Sequence, residues 1–144
     1  MSAAESDAGA DGESLTVLEF AFGSQRYCMR IERVVEIVRK GSVTPLPNTP
    51  PHVEGVMDLR GETTRLVDPT RLLDVDEDGA KEMVLVLESG DEGPVGWLVG
   101  DVHRVRRVTT DDLDETVGSG QIKGVFTDGD HVVWIDPDDA LSSR

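Results

Sequence analysis

Four side chains in this sequence could serve as a nucleophile or an imidazole-type ligand: Cys28, His52, His103 and His131. Thiol catalysis needs a thiolate, which in turn needs a nearby cation or a helix N-terminus to lower the cysteine pKa. Cys28 lies instead between Tyr27 and Met29 in a strand-like run, so it reads as a packed, inert thiol. The histidines show no i, i+4 pairing and no carboxylate placed to complete a metal set, and they read as surface residues. Asp74-Val75-Asp76-Glu77-Asp78-Gly79 matches the first half of a calcium loop, but its twelfth position, which must supply a bidentate carboxylate, is Leu85. An acidic solvated linker is the better reading of that run. There is no phosphate-cradling glycine loop, nucleophile elbow or H-E-x-x-H. The expectation is no enzyme: no catalytic residue, no cofactor and no metal.

Two charges stand apart. Glu36 lies within the apolar run Val34-Val35-Glu36-Ile37-Val38, and Arg60 ends the apolar run that contains Val56, Met57 and Leu59. A charge flanked in this way usually needs a partner. Two readings are open: a strand-edge pair of little energetic weight, or a pair at the rim of an apolar groove, with Val34 exposed beside it, that presents a recognition surface.

The elements that would position these residues are strands. Leu15–Phe22, a turn at Gly23-Ser24-Gln25 and Arg26–Ile31 form a hairpin, and Val34–Val38 a third strand. Pro47, Pro50 and Pro51 stiffen the approach to a further strand pair. Its tip is Arg60-Gly61-Glu62, with Gly61 supplying positive φ. Asp68 is a suitable N-cap, with Pro69 at the first helical position. Met83–Leu87 is apolar on both faces and reads as a central strand. Val95–Val99, Val102–Val108, Gln121–Phe126 and His131–Ile135 complete about ten strands. Short helical turns are expected over Thr109–Glu115, capped by Thr109 or Thr110, and over Pro137–Leu141. The pattern repeats. Gly61–Pro69 aligns with Gly129–Pro137 at an offset of 68, Gly55-Val56 with Gly124-Val125 at 69, and Leu18, Val34 and Ile37 with Val86, Val102 and Val105 at 68. Two copies of one β unit are implied. The expected fold is all-β, two small five-stranded antiparallel barrels, the first over about 15–73 and the second over about 82–136, with exchange of strands between them left open.

Composition narrows the setting. Acidic residues outnumber basic ones 29 to 14, for a formal charge of −15, and aromatics are only 4%. The acids are spread over both halves, which suits solubility in concentrated salt; an acidic surface for a basic partner is the rival reading. Nucleic-acid binding is disfavoured, because no cluster of cations is offered for counterion release. Met1–Ser14 has neither a basic n-region nor an apolar h-region and reads as a disordered acidic tail. No apolar run is long enough to span a bilayer. The expectation is a soluble cytoplasmic protein without direct membrane insertion.

Arg33-Val34-Val35-Glu36-Ile37, Leu46-Pro47-Asn48-Thr49-Pro50, Gly55-Val56-Met57-Asp58-Leu59-Arg60-Gly61 and Val99-Gly100-Asp101-Val102 resemble the CheW family of chemotaxis coupling proteins. The resemblance covers Leu15–Leu141, and the acid excess makes it similar to a haloarchaeal member. It implies a CheW-like domain over 15–144 made of two SH3-like barrels, and a non-catalytic adaptor that joins a CheA-type histidine kinase to the cytoplasmic tips of methyl-accepting chemoreceptors. It places the binding site near Val34, Glu36, Gly55, Arg60 and Val84, with Glu36 and Arg60 supporting each other. Thr63 and Thr64 depart from the family's alternating apolar pattern, and Asp58 stands where Asn is commoner. An alternative from the same residues is a divergent β-barrel interaction module that competes with a main coupling protein or binds another signalling partner.

Overall fold

The computed structural model describes residues 12–73, 79–87, 93–118 and 120–136. Eleven strands account for nearly all of the regular structure: β1 (Ser14–Phe22), β2 (Gln25–Arg30), β3 (Val34–Arg39), β4 (Val53–Leu59), β5 (Glu62–Val67), β6 (Met83–Leu87), β7 (Val95–Val99), β8 (Asp101–Thr109), β9 (Leu113–Asp114), β10 (Ile122–Phe126) and β11 (Val132–Ile135). The α-helix α1 (Pro69–Leu72) is a single turn, opened by Asp68, whose Oδ1 accepts the Thr70 amide at 3.1 Å and the Thr70 hydroxyl at 2.6 Å. Single 3-10 turns occupy Ile31–Arg33, Thr110–Asp112 and Glu115–Val117. The turn expected over Pro137–Leu141, most of the acidic run from Asp74 and most of the expected N-terminal tail lie outside the described residues. Order begins earlier than the sequence implied, since the Glu13 carbonyl accepts the Thr110 amide at 2.9 Å.

The strands form two sheets, one of six in the order β8-β1-β2-β11-β10-β9 and one of five in the order β3-β6-β7-β5-β4. The chain divides into two compact units. One comprises residues to Glu19, Arg26–Ile31 and from His103 onward; the other comprises Phe20–Gln25 and Glu32–Val102. The first has a core of Leu15, Val17, Cys28, Val108, Phe126 and Val132, with Leu113 and Trp134 packed against it. The second has a core of Met57, Leu66, Val84, Val86 and Leu98, with Val38, Val43 and Leu59 against it. Met83–Leu87 is the central strand its sequence implied, with β3 on one side and β7 on the other.

The repeat is present in the pairing. In one sheet β5 runs parallel to β7, with Leu66 opposite Gly96; in the other β11 runs parallel to β2, with Trp134 opposite Cys28. Both offsets are 68, from 66 to 134 and from 28 to 96. Each sheet therefore takes its central hairpin (β1–β2 or β6–β7) from one half of the chain and its remaining strands from the other. Neither 15–73 nor 82–136 contains a whole sheet. The sixth strand is a matter of length: the short ladder between Asp114 and Val125 has its counterpart in the single bridge between Thr44 and Val56.

A β-bulge recurs with the repeat. The register of β4 slips between Val53 and Gly55, and that of β10 between Ile122 and Gly124. Gly55 has φ +148 and Gly124 φ +154, and a Cβ would lie 2.3 Å from the Thr44 carbonyl oxygen at the first and 2.7 Å from that of Asp114 at the second. Such contacts need both positive φ and no side chain. Gly55→Ala is expected to destabilise the protein by more than about 2 kcal/mol in reversible denaturant unfolding. A loss below about 0.5 kcal/mol would show that the bulge tolerates a side chain.

Candidate functional site

The five-stranded sheet has β3 at one edge and β4 at the other, yet a side-chain pair joins those edges. Glu36, on β3, and Arg60, at the tip of the β4–β5 hairpin, form a bidentate pair: Arg60 Nη1 donates to Glu36 Oε1 at 3.1 Å and Nη2 donates to Oε2. The first and last strands can be bridged in this way only because the sheet curls round on itself.

The tip is unusual for what occupies it. Leu59 lies opposite Glu62, so the loop is the two residues Arg60-Gly61, with φ +53 and φ +84. A two-residue turn with positive φ at both positions favours Asn-Gly. Placing an L-residue with a Cβ there costs about 1 kcal/mol. The Asp58 carboxylate accepts the Gly61 amide at 3.3 Å and helps to hold the turn. Turn chemistry alone does not call for arginine at this position, whereas reaching Glu36 does.

The five site residues expected from sequence all belong to the unit built around this sheet, but they differ in what they expose. Arg60 is exposed and Glu36 about three-quarters covered, with side-chain accessibilities of 64% and 28%. Val34 is half-buried, not exposed, and lies opposite Leu87 beside a bulge that ends at Glu36. The exposed apolar side chains of this strand are Val35 and Ile37, at 62% and 40%. They share its outer face with Arg39. Sequence alternation cannot say which phase of an edge strand faces water, and this is why Val34 was the expected one. Gly55 is buried at the bulge. Val84 is wholly buried in the core, packed where Gly96 has no side chain: a Cβ at Gly96 would lie 2.5 Å from Val84 Cγ1. Val84 and Gly55 are therefore buried, whereas Arg60, Val35 and Ile37 are exposed and Val34 and Glu36 lie between these extremes.

Nothing reactive is gathered here. Among the described residues, no group of three or more His, Cys, Asp or Glu side chains stands close enough to hold a metal ion. Burial lowers the His52 pKa, and the Arg65 guanidinium lowers it further, so its imidazole is neutral at pH 7. Cys28 is buried in the other unit's core; desolvation, with the charge of Glu19 adding and that of Arg106 opposing, pushes its thiol up to about 12. No helix of the described residues is long and apolar enough to cross a membrane.

Sequence reading passed over a second charged cluster. Glu19, on β1, is fully buried, and its carboxylate meets three arginines. Arg106 Nε lies 2.6 Å from Oε2, an ion contact in which the N–H is not aimed along the line to the oxygen. Arg104 Nε is 3.4 Å and Arg26 Nη1 3.7 Å from Oε1. Arg106 continues to Asp128 at 3.0 Å and Arg26 to Asp130 at 3.7 Å. The signal was available, because Glu19 is as closely flanked by apolar residues (Leu18 and Phe20) as Glu36 is.

Two curled sheets repeating one β unit, one of them bridged by a charge pair between β3 and the β4–β5 tip, define an all-β, two-sheet protein. Its family is shown by the sequence: a family model described as the CheW-like domain matches residues 16–144. The chain belongs to the CheW family. It is 31% identical over 127 residues to the chemotaxis protein CheW of Thermotoga maritima, covering 85% of this chain and 84% of that one. It is 26% identical over 151 residues to the CheW protein of Treponema pallidum, covering 92% and 85%. Among solved structures, the scaffolding protein TtCheW from Thermoanaerobacter tengcongensis superposes with a TM-score of 0.74 at 22% identity, covering 86% of this chain and 90% of the other. The expected all-β fold of two SH3-like barrels holds.

The sign of the Cys28 effect is checkable. A thiol with a folded pKa near 12 and an unfolded pKa of about 8.5 keeps its proton longer in the folded state, so its contribution to stability is full below about pH 8.5 and is lost as pH rises towards 12. Iodoacetamide is expected to label Cys28 at least about 100-fold more slowly in the native protein than in denaturant at pH 8. Equal rates would mean that the thiol is accessible and ionised.

Proposed function

We propose that this chain is a chemotaxis coupling adaptor that holds a CheA-type histidine kinase and the cytoplasmic tip of a chemoreceptor by binding alone. It would act in the cytoplasm, without catalysis, cofactor or membrane insertion. Membership of the CheW family over residues 16–144 is the observation that carries this reading. The working part is the CheW-like domain over 15–144, with an acidic tail before it. The surface we assign to partner binding is built on Val34, Glu36 and Arg60, with Gly55 and Val84 setting the backbone beneath them. An exposed charge pair contributes only about 0–1 kcal/mol to folding, so its cost in turn strain is better explained by recognition than by stability. A guanidinium fixed in this way meets a partner without first losing its rotamer freedom. The influence of such an adaptor on kinase output would come from the arrangement it favours.

The test is co-purification. Arg60→Ala is expected to cut recovery of the chemoreceptor tip at least about tenfold while leaving the unfolding free energy within about 1 kcal/mol of the parent. Unchanged recovery of both receptor and kinase would remove Arg60 from the site.

We also infer that the protein works in concentrated salt, as in a haloarchaeal cytosol. The support is the excess of 29 acidic over 14 basic residues, found in both units, as with Glu54 and Glu82 in one and Asp112 and Glu115 in the other. Screening relieves the self-repulsion of so acidic a fold. The thermal midpoint is expected to rise by at least about 10 °C from about 0.1 M to about 2 M KCl. A midpoint indifferent to salt would exclude this setting.

A further inference from the structure

The two halves of this chain are similar enough to compete. The hairpins β1–β2 and β6–β7 each lie in a sheet whose other strands come from the opposite half. A simpler arrangement exists, in which β1–β2 inserts between β3 and β5 of its own half. That arrangement needs only shorter loop closures and would form faster. Apolar packing hardly discriminates between the two, because both halves offer β-branched and leucine-rich strands of the same period.

Charge does discriminate. In the five-stranded sheet Val86 of β6 lies opposite Glu36 of β3. The residue 68 positions after Glu36 is Arg104 of β8, and against Arg104 stands Glu19 of β1. Likewise Arg106 of β8 corresponds to Val38 of β3. At the same offset Glu19 corresponds to Leu87 of β6, which lies opposite Val34 of β3. Moved into its own half, Glu19 would meet Glu36 and Val38 of β3 where it now meets Arg104 and Arg106 of β8, and of its three arginines it would keep the Arg26 of its own hairpin. Arg104 and Arg106 would in turn face the apolar β6. Burying a charge that has lost most of its partners costs several kcal/mol, while the observed hub is balanced, with Glu19, Asp128 and Asp130 against Arg26, Arg104 and Arg106.

We propose that Glu19, with Arg104 and Arg106, is a pairing lock that commits β1–β2 to the strands of the second half and rejects those of its own. The lock acts by penalising the wrong partner more than by strengthening the right one.

Disulfide competition reads the choice directly. In a Cys28→Ala background, cysteines are placed at Glu13, at Thr110, whose amide donates to the Glu13 carbonyl at 2.9 Å, and at Ser42, 68 positions before Thr110. The protein is refolded from denaturant in a glutathione redox buffer, and the 13–110 and 13–42 products are counted by peptide mass. With Glu19 present, 13–110 is expected to exceed 13–42 at least about tenfold. Glu19→Val, which puts an apolar residue on β1 where β6 has Leu87, is expected to bring the two products within about threefold of each other. Glu36→Arg with Val38→Arg, which gives β3 the arginines of β8, is expected to raise 13–42 even with Glu19 in place; this variant decides the matter should Glu19→Val fail to fold. A folded variant that loses stability but keeps the parent ratio would make the cluster an ordinary buried ion network and overturn the proposal.

Discussion

Both units depend on the same constraint: a curled sheet whose edge strand must be held to the tip of a distant hairpin. Hydrogen bonding within the sheet does not supply this link, because β3 and β4 lie at opposite ends of one strand order. Glu36 and Arg60 supply it in one unit. In the other, Arg106 of β8 reaches Asp128 at the β10–β11 turn. The tip residues 60 and 128 are 68 apart, but the strand residues are not: Glu36 corresponds to Arg104, so the second link starts two residues further along β8, at Arg106, and with the signs reversed. The β4–β5 tip carries the cation in one unit, and the β10–β11 tip carries the anion in the other. A side-chain pair that spans strand edges also covers part of an edge that would otherwise invite another chain.

The inverted signs have different surroundings and so different weight. The Glu36–Arg60 pair is largely solvated and adds little to stability, which leaves it free to serve as a recognition feature. The Arg106–Asp128 contact is the outer end of a chain of charges leading to a fully buried carboxylate. There desolvation sets the energetics, and loss of one partner would strand a charge in the interior. One inherited architecture thus uses charge at the surface in one copy and in the core in the other. The bulge glycines show what did not diverge: Gly55 and Gly124 keep the same φ region and the same backbone approach, because no other residue fits there.

Much of the fold was legible because strands announce themselves by alternation and by the punctuation between them. The caps at Asp68 and Thr109, the buried strand Met83–Leu87 and the repeat anchored on Gly55 and Gly124 are local signals that tertiary structure did not override. Strand partnership was not legible, because a repeat says which segments are alike and not which of them pair. The site was legible in part. Glu36 and Arg60 stood out as charges among apolar residues, and the structure brings them together. Val34 was taken for the exposed residue in place of Val35 because an edge strand with a bulge shifts its phase. Glu19 was overlooked because, in a chain with 29 acidic residues, one more carboxylate in a strand draws no notice.

The division of labour among the site residues has a consequence for how such a surface can change. Val84 packs into space left by Gly96, and Gly55 turns its strand against Thr44 with no room for a side chain. Substitution at either position deforms the sheet, so loss of binding there would accompany loss of stability. Val35, Ile37 and Arg60 are exposed, so their replacement alters the outer surface while the sheet stays as it is. A surface of this construction can acquire new specificity along β3 and at the hairpin tip at small cost, whereas the residues beneath it are constrained by geometry that is the same for every partner.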